Sequence, residues 1–348
     1  MNPEPKNPRI SMRDIAKMAG ISHSTVSLAL KNHPRISDEV KVRIRKLCDE
    51  VGYRPDPMLS ALAHYRLTKS EMPITAGIAW INAWPKPENL RRHREFDFYW
   101  KGAHAAAEKF GYRLEEFQLG RDMSPQRLHQ ILSTRGIRGL LLPPHHIIPD
   151  WKDLPWSEYS VVRFGRSLKH PDVHLVTADQ VANTMLAVDS IRSRGYQRIG
   201  YVSDERHDRD HGILFSAGYL HARHDLPEKD QVPLLNVAGL DPQAYGKALL
   251  AWIKKHKIEA IFTNRSELMS MLAKLGVKVP DDVAVAVTSL LDAHADAGID
   301  QHPEEIGRVA FLMLNSLIND GSRGIPKIFR QILVEGSWVD GSTLPNRR

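Results

Sequence analysis

The sequence has a single cysteine, Cys48, so it can form no internal disulfide and no cysteine-rich zinc or iron–sulfur site. It has no run approaching the roughly eighteen apolar residues that a membrane helix requires, so no membrane partner is expected. There is no G-x-S-x-G, and no glycine-rich phosphate loop follows a strand; GIRGLLLPP (136–144) lacks the spacing. The opening MNPEPKNPRI contains no apolar stretch, so no secretory leader is expected and a cytoplasmic address follows by default. Positive charge is nearly absent as an excess outside the first fifth of the chain. Residues 1–69 hold 13 Lys+Arg against 7 Asp+Glu, while the remainder holds 35 against 34. A compact basic head on a near-neutral body is an electrostatic footprint for a polyanion. The 348 residues exceed one ordinary hydrophobic core and imply two or three units.

In the head, Ser11 followed by Asp14 forms a capping box that opens a helix with Ile15, Met18 and Ala19 on its apolar face. Gly20 ends this helix in a tight turn. Ser22 caps a second helix running to about Leu30, with Val26 and Leu30 inward. Ser37 opens a third, with Val40, Ile44, Leu47 and Val51 as its stripe, closed by Gly52. Three short helices with a glycine turn between the first two are helix-turn-helix geometry. A recognition helix needs compact polar side chains that reach base edges, plus hydroxyls and cations for phosphates. His23, Ser24, Thr25 and Ser27 supply the first set, and Lys31, Asn32, His33 and Arg35 follow in the loop. Ser22 and Ser37 read simply as caps, and Cys48 as a small buried hydrophobe. Pro55 and Pro57 then stop the third helix. The segment Met58 to Leu62 is apolar and helix-compatible but too short to be stable alone. It therefore wants a second copy of itself or a groove. Leu62 suits a wedge between base steps in a minor groove, the alternative being a linker helix packed on the body.

Beyond Pro73, short apolar runs alternate with helical stretches. ITAGIAWI, RLEEFQL, IRGLLLPP and YSVVRFG read as strands, and FYWKGAHAAAEKFGY and SPQRLHQILSTRG as helices. The helix–Gly–strand phrase recurs through QVANTMLAVDSIRSRGYQRIGYVSD, AYGKALLAWIKKHKIEAIFT and SELMSMLAKLGVKVPDDVAVAVTS. Such alternation predicts parallel sheets with helices on both faces. The units are too many for one sheet, so two Rossmann-like lobes are expected, with a ligand cleft at the carboxyl ends of their strands. His207 and His211 share metal-ligand spacing, but the neighbouring Asp208, Asp210 and Gly212 read better as a charged loop at the cleft mouth. His145–His146 follow a strand end and suit either the cleft or solvent. Trp80, Trp84 and the Phe96–Trp100 group suit either ring stacking on an effector or core packing.

The head motifs MRDIAKMAGISHSTVSLALKNHPRIS and VRIRKLCDEVGYRPDPMLSALA resemble the lactose-repressor/galactose-repressor (LacI/GalR) family of transcriptional regulators. VTADQ, RGYQRIGYV, PDDVAVAV and EEIGRVA extend the resemblance over nearly the whole chain. It implies a dimer, or a dimer of dimers, on a palindromic double-stranded DNA operator. The core would resemble periplasmic binding proteins and hold a small metabolite, often a sugar or nucleobase. It implies base reading by His23 and Ser24, phosphate positioning by Thr25 and Ser27, and insertion of Leu62 into the central minor groove. Leu28 stands where many members carry arginine or another polar base-reading residue. In the cleft, Phe96 and Arg209 match effector-contacting positions. Phe215 stands where a second arginine is usual, and Asp292 is the nearest acid where G-F-D is replaced by TSLLD.

The expected architecture is therefore α/β. An all-α helix-turn-helix head spans 9–56, a hinge helix and linker 57–72, and a two-lobed Rossmann-like core 73–342. A repressor controlled by a metabolite between the lobes is the leading function, with no cofactor. A secreted solute-binding protein on the same core fails on the basic head. An enzyme fails for want of a cofactor fingerprint and a convergent nucleophile and base.

Overall fold

A computed structural model describes residues 11–30, 35–51, 53, 76–120, 122–145, 149–168, 170–204, 213–291 and 293–348. The expected linker at 57–72, and with it Leu62, lies outside the described residues, as do Lys31, Asn32, His207, Arg209, His211 and Asp292.

The head is three helices, α1 (Met12–Ala19), α2 (His23–Leu30) and α3 (Asp38–Glu50). Its capping box forms in full: the Ser11 amide and hydroxyl donate to the Asp14 carboxylate at 2.8 and 2.7 Å, and the Asp14 amide donates back to Ser11 Oγ. Those bonds from Ser11 hold the Asp14 carboxyl below the usual carboxylate range. Gly20 closes α1 at φ 69°, a left-handed conformation that glycine adopts without strain. Ile15, Ala16, Ala19, Val26, Ala29, Ile44 and Cys48 form the buried centre. The Arg43 guanidinium reaches back to the Ala19 carbonyl and ties α3 to the end of α1. The turn between α1 and α2 is thereby fixed from both sides.

The body is two doubly wound lobes. The first sheet runs β11–β5–β4–β3–β1–β2, entirely parallel. Its strands are β1 (Ala76–Asn82), β2 (Tyr112–Gln118), β3 (Gly139–Leu142), β4 (Ser160–Phe164), β5 (His174–Ala178) and β11 (Gln331–Val334). Helices α5 (Arg94–Lys109) and α11 (Pro303–Asp320) cover one face over Ile78, Trp80, Phe164 and Val176; α6 (Pro125–Thr134) covers the other through Leu128 and Leu132. The short α4 (Glu88–Arg92) leads into α5. Gly102 and Gly307 let α5 and α11 touch backbone to backbone. A β-carbon at Gly102 would fall 1.9 Å from the Glu304 carbonyl oxygen, and one at Gly307 2.1 Å from that of Tyr99.

The second sheet runs β12–β10–β9–β8–β6–β7. Its strands are β6 (Ile199–Ser203), β7 (Leu235–Asn236), β8 (Ala260–Thr263), β9 (Ala284–Val287), β10 (Gly298–Asp300) and β12 (Ser337–Val339). All pair in parallel except β12, which runs antiparallel to β10 at the edge. Helices α7 (Gln180–Ser193) and α8 (Ile213–His224) pack one face, and α9 (Pro242–His256) and α10 (Leu268–Lys274) the other. The core continues past 342, the boundary expected from the sequence: Leu344 is buried, and the Tyr196 hydroxyl donates to the Pro345 carbonyl at 2.9 Å.

The chain crosses between lobes three times, from β5 into α7, from β10 into α11, and from β11 into β12. All three crossings leave from the carboxyl ends of strands. The two sets of carboxyl ends therefore share one boundary, which is where open α/β sheets present their ligand crevice.

Candidate nucleic-acid interface and ligand cleft

On the head, the N-terminus of α2 is built around Ser22. Its Oγ accepts from the Thr25 amide at 3.1 Å and lies 2.8 Å from both Ser24 Oγ and Thr25 Oγ1. His23 and Ser24 are exposed beside it, and no acidic residue occupies the first turn. Thr25, Ser27 and Leu28 are half-buried, and Arg35 is exposed at the start of the next turn. Helix-end amides, a hydroxyl cluster and the absence of negative charge make a surface suited to phosphate oxygens. His23 and Ser24 stand exposed at that helix end. The exposed Arg13 and Lys17 of α1 add positive charge on the preceding helix.

At the boundary between lobes, β1 ends in Asn82, whose side chain is wholly buried. Its amide nitrogen donates to Glu116 Oε1 at 2.7 Å and to the Pro87 carbonyl at 3.0 Å, and its oxygen accepts from the Trp84 amide at 3.0 Å. That network holds the loop so that Trp84 Nε1 donates to the Pro144 carbonyl at 2.9 Å. The Ala83 amide donates to Nε2 of His145 at 2.9 Å, which places the proton of the neutral ring on Nδ1. Trp84, His93 and Phe96 then form an aromatic wall, with Trp84–His93 centroids 5.4 Å apart and His93–Phe96 5.1 Å apart. Phe96 lies in the first turn of α5, half-buried, and packs against the first-lobe core.

From the second lobe come the ends of β6, β8 and β9. Arg265 donates to Glu267 Oε1 at 2.6 Å and to Asp204 Oδ2 at 3.3 Å. Ser203 Oγ and Asn264 Oδ1 are buried with no hydrogen-bond partner among the described residues. Buried, unmet polar atoms at strand ends are features of a polar ligand site. Arg94, at the start of α5, reaches across between the lobes and donates to the Leu291 carbonyl at 3.4 Å. By contrast, Phe215 belongs to the second lobe's core. Its ring is 7% exposed and packs with Val188, Tyr219 and Phe262, which accounts for it as packing and does not bring it to the cleft.

Several cleft residues were not expected from the sequence. Arg94, Asn82, Ser203, Asn264 and Arg265 carry no motif. Their one signal is position, just beyond the apolar runs GIAWI, IGYV and AIFT or at the start of α5. Among the described residues no group of three or more His, Cys, Asp or Glu side chains is placed to hold a metal ion, and no helix is long and apolar enough to cross a membrane.

A helix-turn-helix head followed by two crossover-linked α/β lobes defines a DNA-binding regulator with an effector-binding type of core. Residues 11–56 match the model for bacterial regulatory proteins of the lacI family, and residues 188–343 match a periplasmic binding protein-like domain. The regulator MalR of Streptococcus pneumoniae is 23% identical over 335 residues, 93% of this chain and 97% of its own. The repressor CytR of Escherichia coli K12 is 24% identical over 322 residues, covering 87% and 88%. Among solved structures, a complex of the regulator CelR with cellobiose superposes with TM-score 0.57 at 17% identity, covering 96% of this chain and all of the other. The lac repressor dimer bound to operator and an anti-inducer superposes with TM-score 0.53 at 14% identity, covering 97% and 99%. The chain thus carries a lacI-family head and is similar over nearly its whole length to regulators of the LacI/GalR type.

Proposed function

We propose that this regulator is an operator-specific repressor that binds a palindromic DNA site as a two-fold dimer and is controlled by a small sugar-like metabolite held between its lobes. The observation that carries the reading is the pairing of an aromatic wall (Trp84, His93, Phe96) on one lobe with unmet polar atoms (Ser203, Asn264) on the other, joined by Arg94. Rings of this kind stack on the apolar faces of sugars, while the polar atoms take up hydroxyls. CelR with cellobiose and a related regulator with glucose or sucrose show that the fold accommodates sugars. Arg209 and Asp292, at the positions matched by family resemblance, complete the proposed contacts. On the DNA side, His23 and Ser24 read bases, Leu28 makes apolar base contact, and Thr25, Ser27, Lys31, Asn32 and Arg35 hold phosphates. Leu62 enters the minor groove once two copies meet.

The test is a thermal-shift screen of mono- and disaccharides, sugar acids and nucleobases on the full chain. Each hit is then titrated into an operator complex monitored by fluorescence anisotropy. A stabilising sugar that changes operator affinity supports the reading. A hit that leaves operator affinity untouched refutes the coupling.

A further inference from the structure

We propose that Ser22 fixes the hydrogen-bonding sense of Ser24, so that on DNA Ser24 is an acceptor and reads a major-groove amino group, adenine N6 or cytosine N4. This deepens the proposed DNA reading and rests on it, specifically on Ser24 meeting a base and Thr25 a phosphate. Ser22 Oγ has three partners at the start of α2. It accepts from the Thr25 amide at 3.1 Å, and it lies 2.8 Å from both Ser24 Oγ and Thr25 Oγ1. A serine hydroxyl has one hydrogen to give and two lone pairs. The Thr25 amide occupies one lone pair. One hydrogen and one lone pair remain for the two neighbouring hydroxyls, so Ser22 must donate to one of them and accept from the other.

Two arrangements are open, and each leaves a single outward hydrogen between Ser24 and Thr25. In the first, Ser22 donates to Thr25 and accepts from Ser24; Thr25 keeps its hydrogen for an outside acceptor, and Ser24 presents lone pairs alone. In the second the roles exchange. DNA decides between them. Ser24 and Thr25 are consecutive, so they point about 100° apart around α2, and Ser24 is exposed where Thr25 is half-buried. They therefore meet different DNA groups. A phosphate oxygen only accepts, so Thr25 must donate to it, and that selects the first arrangement. No acidic residue in the first turn of α2 competes for the Thr25 hydrogen. Ser24 is left as an acceptor, and among major-groove base groups only the amino groups of adenine and cytosine donate. Ser22 is thus a positioning residue: one capping hydroxyl ties a backbone contact to the identity of a base.

Selection from a randomised duplex library with the full chain supplies the operator, and the base pair whose preference Ser24→Ala alters marks the Ser24 contact. At that pair, adenine is replaced by unsubstituted purine, or cytosine by 2-pyrimidinone, which removes the amino group. Separately, the purine of the pair is replaced by its 7-deaza analogue, which removes the N7 acceptor. Amino removal should weaken wild-type binding about three- to tenfold, the equivalent of one neutral hydrogen bond, and leave Ser24→Ala unaffected. N7 removal should act on both proteins alike. Thr25→Val keeps the amide bond to Ser22 but frees Ser22 to donate to Ser24, which can then donate to a base. Besides weakening every operator, it should reduce the penalty for inverting the marked pair by at least about twofold, and Thr25→Ser should restore that penalty. A purely structural role for Thr25 would not move this ratio. The proposal is overturned if amino removal costs wild type nothing or costs Ser24→Ala as much. It also fails if N7 removal is what separates the two proteins, or if Thr25→Val retains the full inversion penalty. If Ser24→Ala alters no base pair, base reading by Ser24 falls and the proposal with it; if one pair is altered but amino removal is silent, only the acceptor role falls.

Discussion

The Gly336 amide donates to the side-chain oxygen of Asn183 at 2.7 Å, joining the third crossover between lobes to the helix that follows the first. The contact leaves no room: a β-carbon on Gly336 would lie 2.7 Å from the Asp300 carbonyl oxygen and 3.0 Å from Asn183 Nδ2. Two crossovers and the end of β10 therefore meet at one point, which makes it the candidate pivot for any motion between the lobes.

Gly336→Ala should force these segments apart. The expected cost is about 1–3 kcal/mol of stability, the usual range for overpacking a tight site. The effector's influence on operator affinity should also shrink. Differential scanning calorimetry measures the first effect and paired DNA titrations with and without the effector the second. Normal stability with full coupling would show that the crossover is not the pivot.

At the DNA surface, replacing His23 or Ser24 by alanine should change the preferred operator. Each lost base contact is worth about 1–3 kcal/mol of discrimination. Replacing Lys17 should instead weaken all sequences alike and flatten the salt dependence by about one counterion. Selection from a randomised operator library, repeated at two salt concentrations, separates the two behaviours. An unchanged preference in both the His23 and Ser24 variants would remove the base-reading role.

Arg94→Ala deletes the one described side-chain bridge from α5 to the Leu291 carbonyl. It should weaken effector binding by about two- to tenfold, the equivalent of one exposed hydrogen bond of about 0.5–1.5 kcal/mol. Calorimetric titration reads this directly. Equal affinity in the variant would mean that the lobes are held together by other contacts.

Asp296 anchors the C-terminal tail. Its carboxylate accepts from the Ser342 amide at 2.9 Å, the Ser342 hydroxyl at 2.8 Å and the Thr343 amide at 2.8 Å. Partial burial pushes its pKa up, but the bonds from Thr343 and Ser342 outweigh that and hold it well below the usual carboxylate range. A depressed folded-state pKa gives stability that is present in full above the unfolded value of about 3.9 and is lost as pH falls toward the folded one. Asp296→Asn should therefore lower the Tm at pH 7 by more than at pH 3, the difference narrowing as pH falls toward the folded-state value. A constant difference across that range would assign the effect to packing instead of charge.

How much of this was legible in the sequence depended on distance along the chain. The capping box at Ser11, the Gly20 turn and the Ser22 cap involve partners within a few residues, and each forms as read. The two-lobed α/β layout was likewise carried by local alternation. Strand β5 (HLVTA) was not read as a strand because it is short and mixes polar with apolar residues. The pairing of Ile332 with Val176 spans 156 positions and has no local trace, so the return of the chain to the first lobe was invisible. The same holds for Arg94 and Leu291, which only the folded lobes bring together. Phe215 illustrates the converse: its position by resemblance suggested the cleft, while its apolar chemistry placed it in the core.

The threefold crossing also sets an order of events during synthesis. The head, complete by about Tyr53, is one continuous stretch that can fold while the ribosome is still making the body. Neither lobe has that freedom. The first lacks α11 and β11 until residue 334 has emerged, and the second lacks β12 and the Thr343 contact to β9 until residues 337–343 follow. Both lobes must therefore reach their final form almost together, once residues 331–344 have been made. A truncation of even the last dozen residues should leave a DNA-binding head attached to an unfinished sensor.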